Sequence, residues 1–165
     1  MPFSDAIRVL NGLKRRRIIR DYVLIGAVAA TAYMEPVFTE DLDIIVLVDT
    51  DEEYRRVFQR VADFADGVEG MHYILGGTPV QIFPTTVKPV FRDTLEQARP
   101  ARVGNLRVKV ASPEHLVLLY LEAFRARDRL RIPHLLLEAD KGRLESLLRG
   151  FDETGILASR LQTLL

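Results

Sequence analysis

The segment Asp41-Leu42-Asp43-Ile44-Ile45-Val46-Leu47-Val48 constrains the fold more than any other stretch of the chain. It opens with two acids around a leucine and continues as five uninterrupted apolar residues, most of them β-branched. A strand that is apolar on both faces has to be covered on both, which places it centrally in a sheet flanked by helices.

The rest of the pattern supplies those helices. Tyr22 to Ile25 reads as a short buried strand ended by Gly26, and the alanine-rich run Ala27 to Met34 as a helix that Pro36 stops. Ser4 can cap a first helix carrying Ile7, Leu10 and Leu13 on one side, with Lys14 to Arg17 as cations at its end. Asp49 to Asp51 can cap another helix that runs to about Ala65 and is ended by Gly67 and Gly70. Met71 to Leu75 and Pro79 to Phe83 read as strands joined by a Gly76-Gly77 hairpin turn. Val90 to Ala98 then reads as a helix and Leu106 to Val110 as a strand. Ser112-Pro113-Glu114 is a helix start, for a helix running to about Arg127 and packing through Leu116, Leu119 and Ala123. Leucine-rich helices follow over Ile132 to Glu138, Lys141 to Arg149 and Gly155 to Leu165. The expected fold is α/β (α+β): one domain over 1–165, with a small mixed sheet in 1–110 and a helical C-terminal part in 111–165.

Composition excludes several functions. Lys+Arg and Asp+Glu are 23 each, so no global field draws the chain to nucleic acid or an anionic membrane, and a nucleic-acid role would need a local patch. Cysteine is absent, which removes disulfides, thiolate metal sites and a cysteine nucleophile. The longest near-apolar run, Tyr22 to Met34, has 13 residues against the roughly 20 of a bilayer span. With no export signal at the start, the expectation is a cytoplasmic protein without a membrane partner.

Chemistry concentrates in two places. Asp41 and Asp43 project from one strand face about 7 Å apart, where two carboxylates can converge on a divalent cation or stand simply as solvated acids. Gly26, between a strand and a helix, lets backbone approach a phosphate. The turn Gly26-Ala27-Val28-Ala29-Ala30-Thr31 is neither a dinucleotide fingerprint nor a Walker loop. His72, His115 and His134 are too dispersed to form a cluster and read as packing residues. Arg125, Arg127, Arg129 and Arg131 read as a solvated helix face, with Asp128 pairing to Arg125.

Leu24-Ile25-Gly26-Ala27-Val28-Ala29 followed by Thr39-Glu40-Asp41-Leu42-Asp43-Ile44 resembles the signature of the nucleotidyltransferase superfamily, which has the polymerase-beta-like fold. More closely, the chain resembles small bacterial proteins related to abortive-infection type nucleotidyltransferase toxins. That likeness extends through Ser112-Pro113-Glu114-His115-Leu116 and Arg125-Ala126-Arg127-Asp128 and covers roughly residues 20–150. The resemblance implies a nucleotidyltransferase-like fold in which Asp41 and Asp43 hold Mg²⁺. Gly26, Ala27 and Thr39 would then adjoin the phosphates of a nucleoside triphosphate such as ATP.

The family's third carboxylate falls at Gln81 in Val80-Gln81-Ile82-Phe83, and no acid occurs between Met71 and Thr86. An amide oxygen can ligate a cation but cannot take a proton from an attacking hydroxyl. Relatives also carry lysine where Tyr120 stands and aspartate where Arg131 stands. The implied function is transfer of a nucleoside monophosphate to an acceptor hydroxyl on a protein, an RNA or a small molecule, weakened by Gln81 among the catalytic positions Asp41, Asp43 and Gln81. The alternative is a non-catalytic module of the same fold that binds nucleotide or a partner protein, as in toxin and antitoxin pairs.

Overall fold

The computed structural model describes residues 3–165. Fifteen elements alternate early and become helical late: α1 (Ser4–Arg15), β1 (Tyr22–Ile25), α2 (Gly26–Ala30), β2 (Leu42–Val46), α3 (Asp51–Phe64), β3 (Gly67–Glu69), β4 (His72–Leu75), β5 (Thr78–Pro84), α4 (Pro89–Glu96), β6 (Arg99–Val103), β7 (Leu106–Val110), α5 (Pro113–Ala123), α6 (Ala126–Leu136), α7 (Lys141–Phe151) and α8 (Ile156–Gln162). The strands form one sheet in the order β3-β4-β5-β2-β1-β7-β6. The strand β2 holds the middle, antiparallel to β1 and parallel to β5, and Leu42, Ile44, Ile45 and Val46 are each 0% exposed. The sheet is mixed, as the sequence predicts.

Both faces are covered. Tyr22 of β1 donates its hydroxyl hydrogen bond to Asn11 of α1, and Tyr73 of β4 packs its ring on Phe58 of α3, so α1 and α3 share a face. On the other face Phe83 of β5 meets Phe91 of α4 edge-on at 5.8 Å. Helix α5 backs that face and is buried nearly all round, through Leu116, Val117, Leu118 and Leu121, while Ala123 is exposed. Among the described residues no helix is long and apolar enough to cross a membrane.

Several expected boundaries move, each for a local reason. Ser4 is the first residue of α1 and makes no cap; Phe3 holds the cap position. Helix α2 has only 5 residues, because from Thr31 the backbone bonds tighten to Thr31 N→Val28 O and Ala32 N→Ala29 O, well before Pro36. Gly67 opens β3 instead of merely ending α3, and β6 is an additional strand whose Pro100 suits a sheet edge. Helix α5 stops at Ala123 because Phe124 takes a left-handed conformation, φ 50°. Pro133 lies inside α6, where buried Ile132 and Leu135 hold the helix together around it.

The start of α5 follows the sequence reading. Ser112 Oγ accepts the backbone N–H of His115 at 3.1 Å and lies 2.6 Å from His115 Nδ1. On its other side the ring reaches Asp93 of α4, Nε2 to Oδ2 2.7 Å. One buried hydroxyl thus caps α5 and orients the histidine that ties α4 to it. Ser112→Ala is expected to cost about 1 kcal/mol, the usual value of a lost cap, read as a lower melting temperature. An unchanged melting temperature would show that the contact contributes nothing.

Candidate functional site

The site begins where β1 ends. Ile25 pairs with Asp43, so the turn after Ile25 must pass over the Asp43 side chain. Gly26 makes that turn at φ 70°, and a Cβ added there would stand 2.5 Å from Asp43 Oδ2. The carboxylate occupies the space that a side chain at residue 26 would need.

Register builds the rest. In the parallel β2–β5 pair Asp43 stands beside Gln81, and in the β4–β5 hairpin Gln81 stands beside His72. Cross-strand partners share a sheet face, so His72, Gln81 and Asp43 form one polar row. Asp41 precedes β2, half exposed, with its Oδ2 3.7 Å from His72 Nε2. Thr39 Oγ1 accepts from the Asp41 backbone N–H at 3.4 Å and donates to its carbonyl at 3.3 Å, which ties down the segment that carries Asp41. Ala27 follows Gly26 as the second residue of α2.

A cleft of about 290 Å³ opens over this row, lined among others by Gly26, Asp43, Gln81, Tyr120 and Arg125. Burial, and then the charge of Asp41, push the Asp43 carboxyl above its ordinary pKa; His72, Arg125 and Arg127 pull it back. Arg125, Lys88 and Glu122 line the cleft with Asp43, while Asp41 stands outside its lining, beside His72. Tyr120 is buried, with the Arg131 guanidinium lying 5.8 Å from its ring. Lys88 at the rim pairs with Glu122 at 2.6 Å.

The structure brings Gly26, Asp43 and Gln81 together and sets Asp41 beside them. The expected pairing with Asp128 is present, and Arg125 stands just before α6 with its side chain half exposed. Asp128, 0% exposed, accepts from its Nε at 2.9 Å and from its backbone N–H at 3.0 Å, and the arginine lines the cleft. His72 was also legible in principle, because a Gly76-Gly77 turn fixes the hairpin register that sets residue 72 against residue 81.

Among the described residues no three His, Asp or Glu side chains group as a metal cluster. Two carboxylates and the Gln81 amide oxygen are instead a donor set for a hard cation that takes its remaining ligands from phosphates and water, the habit of Mg²⁺. The space that Gly26 leaves for the Asp43 carboxylate, and the repulsion within the acid pair, fit such an ion.

Two outcomes test this geometry. Gly26→Ala should lower stability by about 1–2 kcal/mol from the left-handed backbone alone, with a further loss from the collision with Asp43. In the Asp43→Ala background that further loss should vanish, and a double-mutant cycle by thermal melting measures it; strict additivity would deny the contact. Asp43→Asn should raise the melting temperature at neutral pH. A carboxyl whose folded pKa is raised loses stability as pH climbs from its ordinary value, 3.8, through the raised one. The gain should accordingly shrink as pH falls towards 3.8, and a destabilised Asp43→Asn would mark the acid as structural.

No protein-family model matches the chain, and no curated protein matches it in sequence. Solved structures do match it in shape. An antigenic nucleotidyltransferase-like protein from Paracoccidioides brasiliensis superposes with a TM-score of 0.67 at 21% identity, over 98% of this chain and 88% of that one. The antibiotic-resistance factor ANT(2'')-Ia in solution gives a TM-score of 0.55 at 11% identity, over 96% and 92%. A crystal structure of ANT(2'')-Ia in complex with adenylyl-2''-tobramycin gives 0.55 at 8% identity, over 96% and 98%. A seven-stranded mixed sheet with helices on both faces and a helical C-terminal part is thus, in this chain, the fold of nucleotidyltransferase-like proteins.

Proposed function

We propose that the chain is a nucleotidyltransferase that binds a nucleoside triphosphate in the Gly26–Asp43–Gln81 cleft and transfers its nucleoside monophosphate, slowly, to an acceptor hydroxyl, which attacks the α-phosphorus as the bond to the departing pyrophosphate breaks. The observation that carries this reading is the side-by-side register of Asp43 and Gln81 beneath Gly26. It puts a glycine turn, a carboxylate and the expected third-acid position on one cleft wall. Asp41 and Asp43 would hold Mg²⁺, which when bound neutralises and aligns the phosphates. Arg125, fixed by Asp128, adds a guanidinium whose planar fork suits phosphate oxygens. Gln81 offers an amide oxygen as a ligand and no site for a proton. The attacking hydroxyl therefore gives its proton to solvent, which makes the step slow.

Gln81 also supports a second reading, a module of this fold that binds nucleotide or a partner protein without turnover. The finer likeness to abortive-infection toxins draws support from the Ser112 cap and the Arg125–Asp128 pair, each of which has a definite structural place. Protein, RNA and small-molecule acceptors all remain candidates for the hydroxyl.

Calorimetry with each nucleoside triphosphate, with and without Mg²⁺, is expected to show binding that needs the ion and is lost in Asp43→Asn. Absence of binding overturns the transferase reading and leaves, of the second, only a module that binds a partner protein. Transfer is followed as incorporation of label from α-labelled triphosphates into protein and RNA acceptors. The wild type should be weak, and Gln81→Asp should raise incorporation by about a hundredfold, the low end of what a general base contributes. Strong wild-type transfer that Gln81→Asp does not improve would remove the non-catalytic reading and the role given to Gln81.

A further inference from the structure

A chain with no net charge can attract a polyanion only through a local patch, and the β6–β7 ribbon carries one. Its register sets Arg102 opposite Arg107 and Pro100 opposite Lys109. Arg102, Arg107 and Lys109 therefore share one face of the ribbon, at the edge of the sheet. Like charges directly opposite one another destabilise a strand pair. Neither guanidinium has an ion-pair or hydrogen-bond partner among the described residues. A cavity of about 450 Å³ separates the ribbon from α1, which contributes Lys14 as a fourth cation to its lining. The acid beside it, Asp21, is already engaged by Lys14 at 3.0 Å and by Lys109. The cavity shares no lining residue with the acid-bearing cleft.

The surroundings define the partner. Asn11 is the amide at the cavity, and both ends of it are occupied: its Nδ2 donates to the Arg107 carbonyl at 3.0 Å and its Oδ1 accepts from the Tyr22 hydroxyl at 2.7 Å. It has no free group with which to read a base edge. Tyr22, the aromatic residue there, is 3% exposed and offers no stacking surface. Cations that bind membranes work beside apolar residues that enter the bilayer, and none of the exposed large hydrophobic residues lies on β6, β7 or the facing end of α1. What is left is recognition of phosphates at about 7 Å steps along a ribbon. We propose that the β6–β7 ribbon and Lys14 of α1 bind the phosphodiester backbone of a nucleic-acid duplex, without regard to sequence. This goes beyond the nucleotidyltransferase reading and does not depend on it.

The probe is a short fluorescent duplex, in two base compositions, read by anisotropy at low salt and without nucleoside triphosphate or Mg²⁺. The wild type should bind both duplexes equally, and its affinity should fall with salt at a logarithmic slope of about −2.7, the value for three phosphate contacts once Asp21 is set against the two lysines it engages. Arg102→Gln/Arg107→Gln should lose at least about tenfold in affinity at moderate salt and reduce the size of that slope by about 1.8, the share of two phosphate contacts. Its melting temperature should stay level or rise, because a like-charge pair has been removed. The charge-matched control Arg55→Gln/Arg56→Gln, on the exposed side of α3, should bind as the wild type does. No wild-type binding at low salt would overturn the proposal, as would equal losses in both double variants or a strong preference for one base composition. Capture by phosphatidylserine vesicles with no duplex binding would assign the patch to a membrane surface instead. Loss of triphosphate binding in Asp43→Asn with duplex binding intact would separate the two sites.

Discussion

A carboxylate pressed against a glycine organises this end of the sheet. Asp43 lies on the central strand, beside Ile25 on one neighbour and Gln81 on the other, so it cannot move without disturbing both pairings. Its oxygen fills the volume in which a side chain at residue 26 would stand, and Gly26 reaches its φ of 70° with no Cβ to accommodate. The arrangement carries an electrostatic penalty, since burial and Asp41 both oppose ionisation of Asp43. His72, from a neighbouring row position, and two arginines from α6 offset part of it. The remainder is an attraction for cations held in a fixed place.

The C-terminal helices take part in that balance through one turn. Phe124, left-handed at φ 50°, breaks what would otherwise be a continuous helix and lets Arg125 start α6 at the cleft. A bulky residue in that region is strained by roughly 1–2 kcal/mol, and it is clamped from two sides. The guanidinium of Arg129 lies 4.4 Å from the Phe124 ring and that of Arg160 5.2 Å. Arg160, from α8, also donates to the carbonyls of Leu121 and Glu122 at 2.7 and 2.9 Å, supplying partners at the end of α5 where no further turn of helix can. The last helix of the chain thus fixes the direction of an arginine at the cleft, although it touches no acid.

Much of this was readable from residue order. Buried strands such as β2 announce themselves by composition, the β4–β5 hairpin by its paired glycines, and α5 by its Ser-Pro-Glu start, because in each case a local rule and the tertiary packing agree. The missed elements lack such agreement. Strand β3 is three exposed residues, and β6 turns only Ala101 and Val103 to the core between arginines and a proline, too weak a pattern to announce a strand. The α5–α6 break depends on a phenylalanine in a conformation its side chain disfavours, which no propensity announces. The pairing of Arg125 with Asp128 was legible from its spacing, but not that the aspartate is buried and takes the arginine's backbone N–H as well. His72 acquires neighbours only through register, a property of two strands and not of one.

Gln81 ties the energetics of the cleft to its chemistry. A third carboxylate beside Asp43 would add like charge where ionisation is already opposed by burial and by Asp41, and the cations on hand there are few. A neutral amide at the same register position keeps an oxygen donor and spares that repulsion, so the empty cleft is easier to hold folded. The same neutrality removes a proton acceptor next to the acids. On the proposed reading, lower repulsion and slower proton removal would be two consequences of one side chain, and a cleft built this way would favour holding a charged ligand over turning it over quickly.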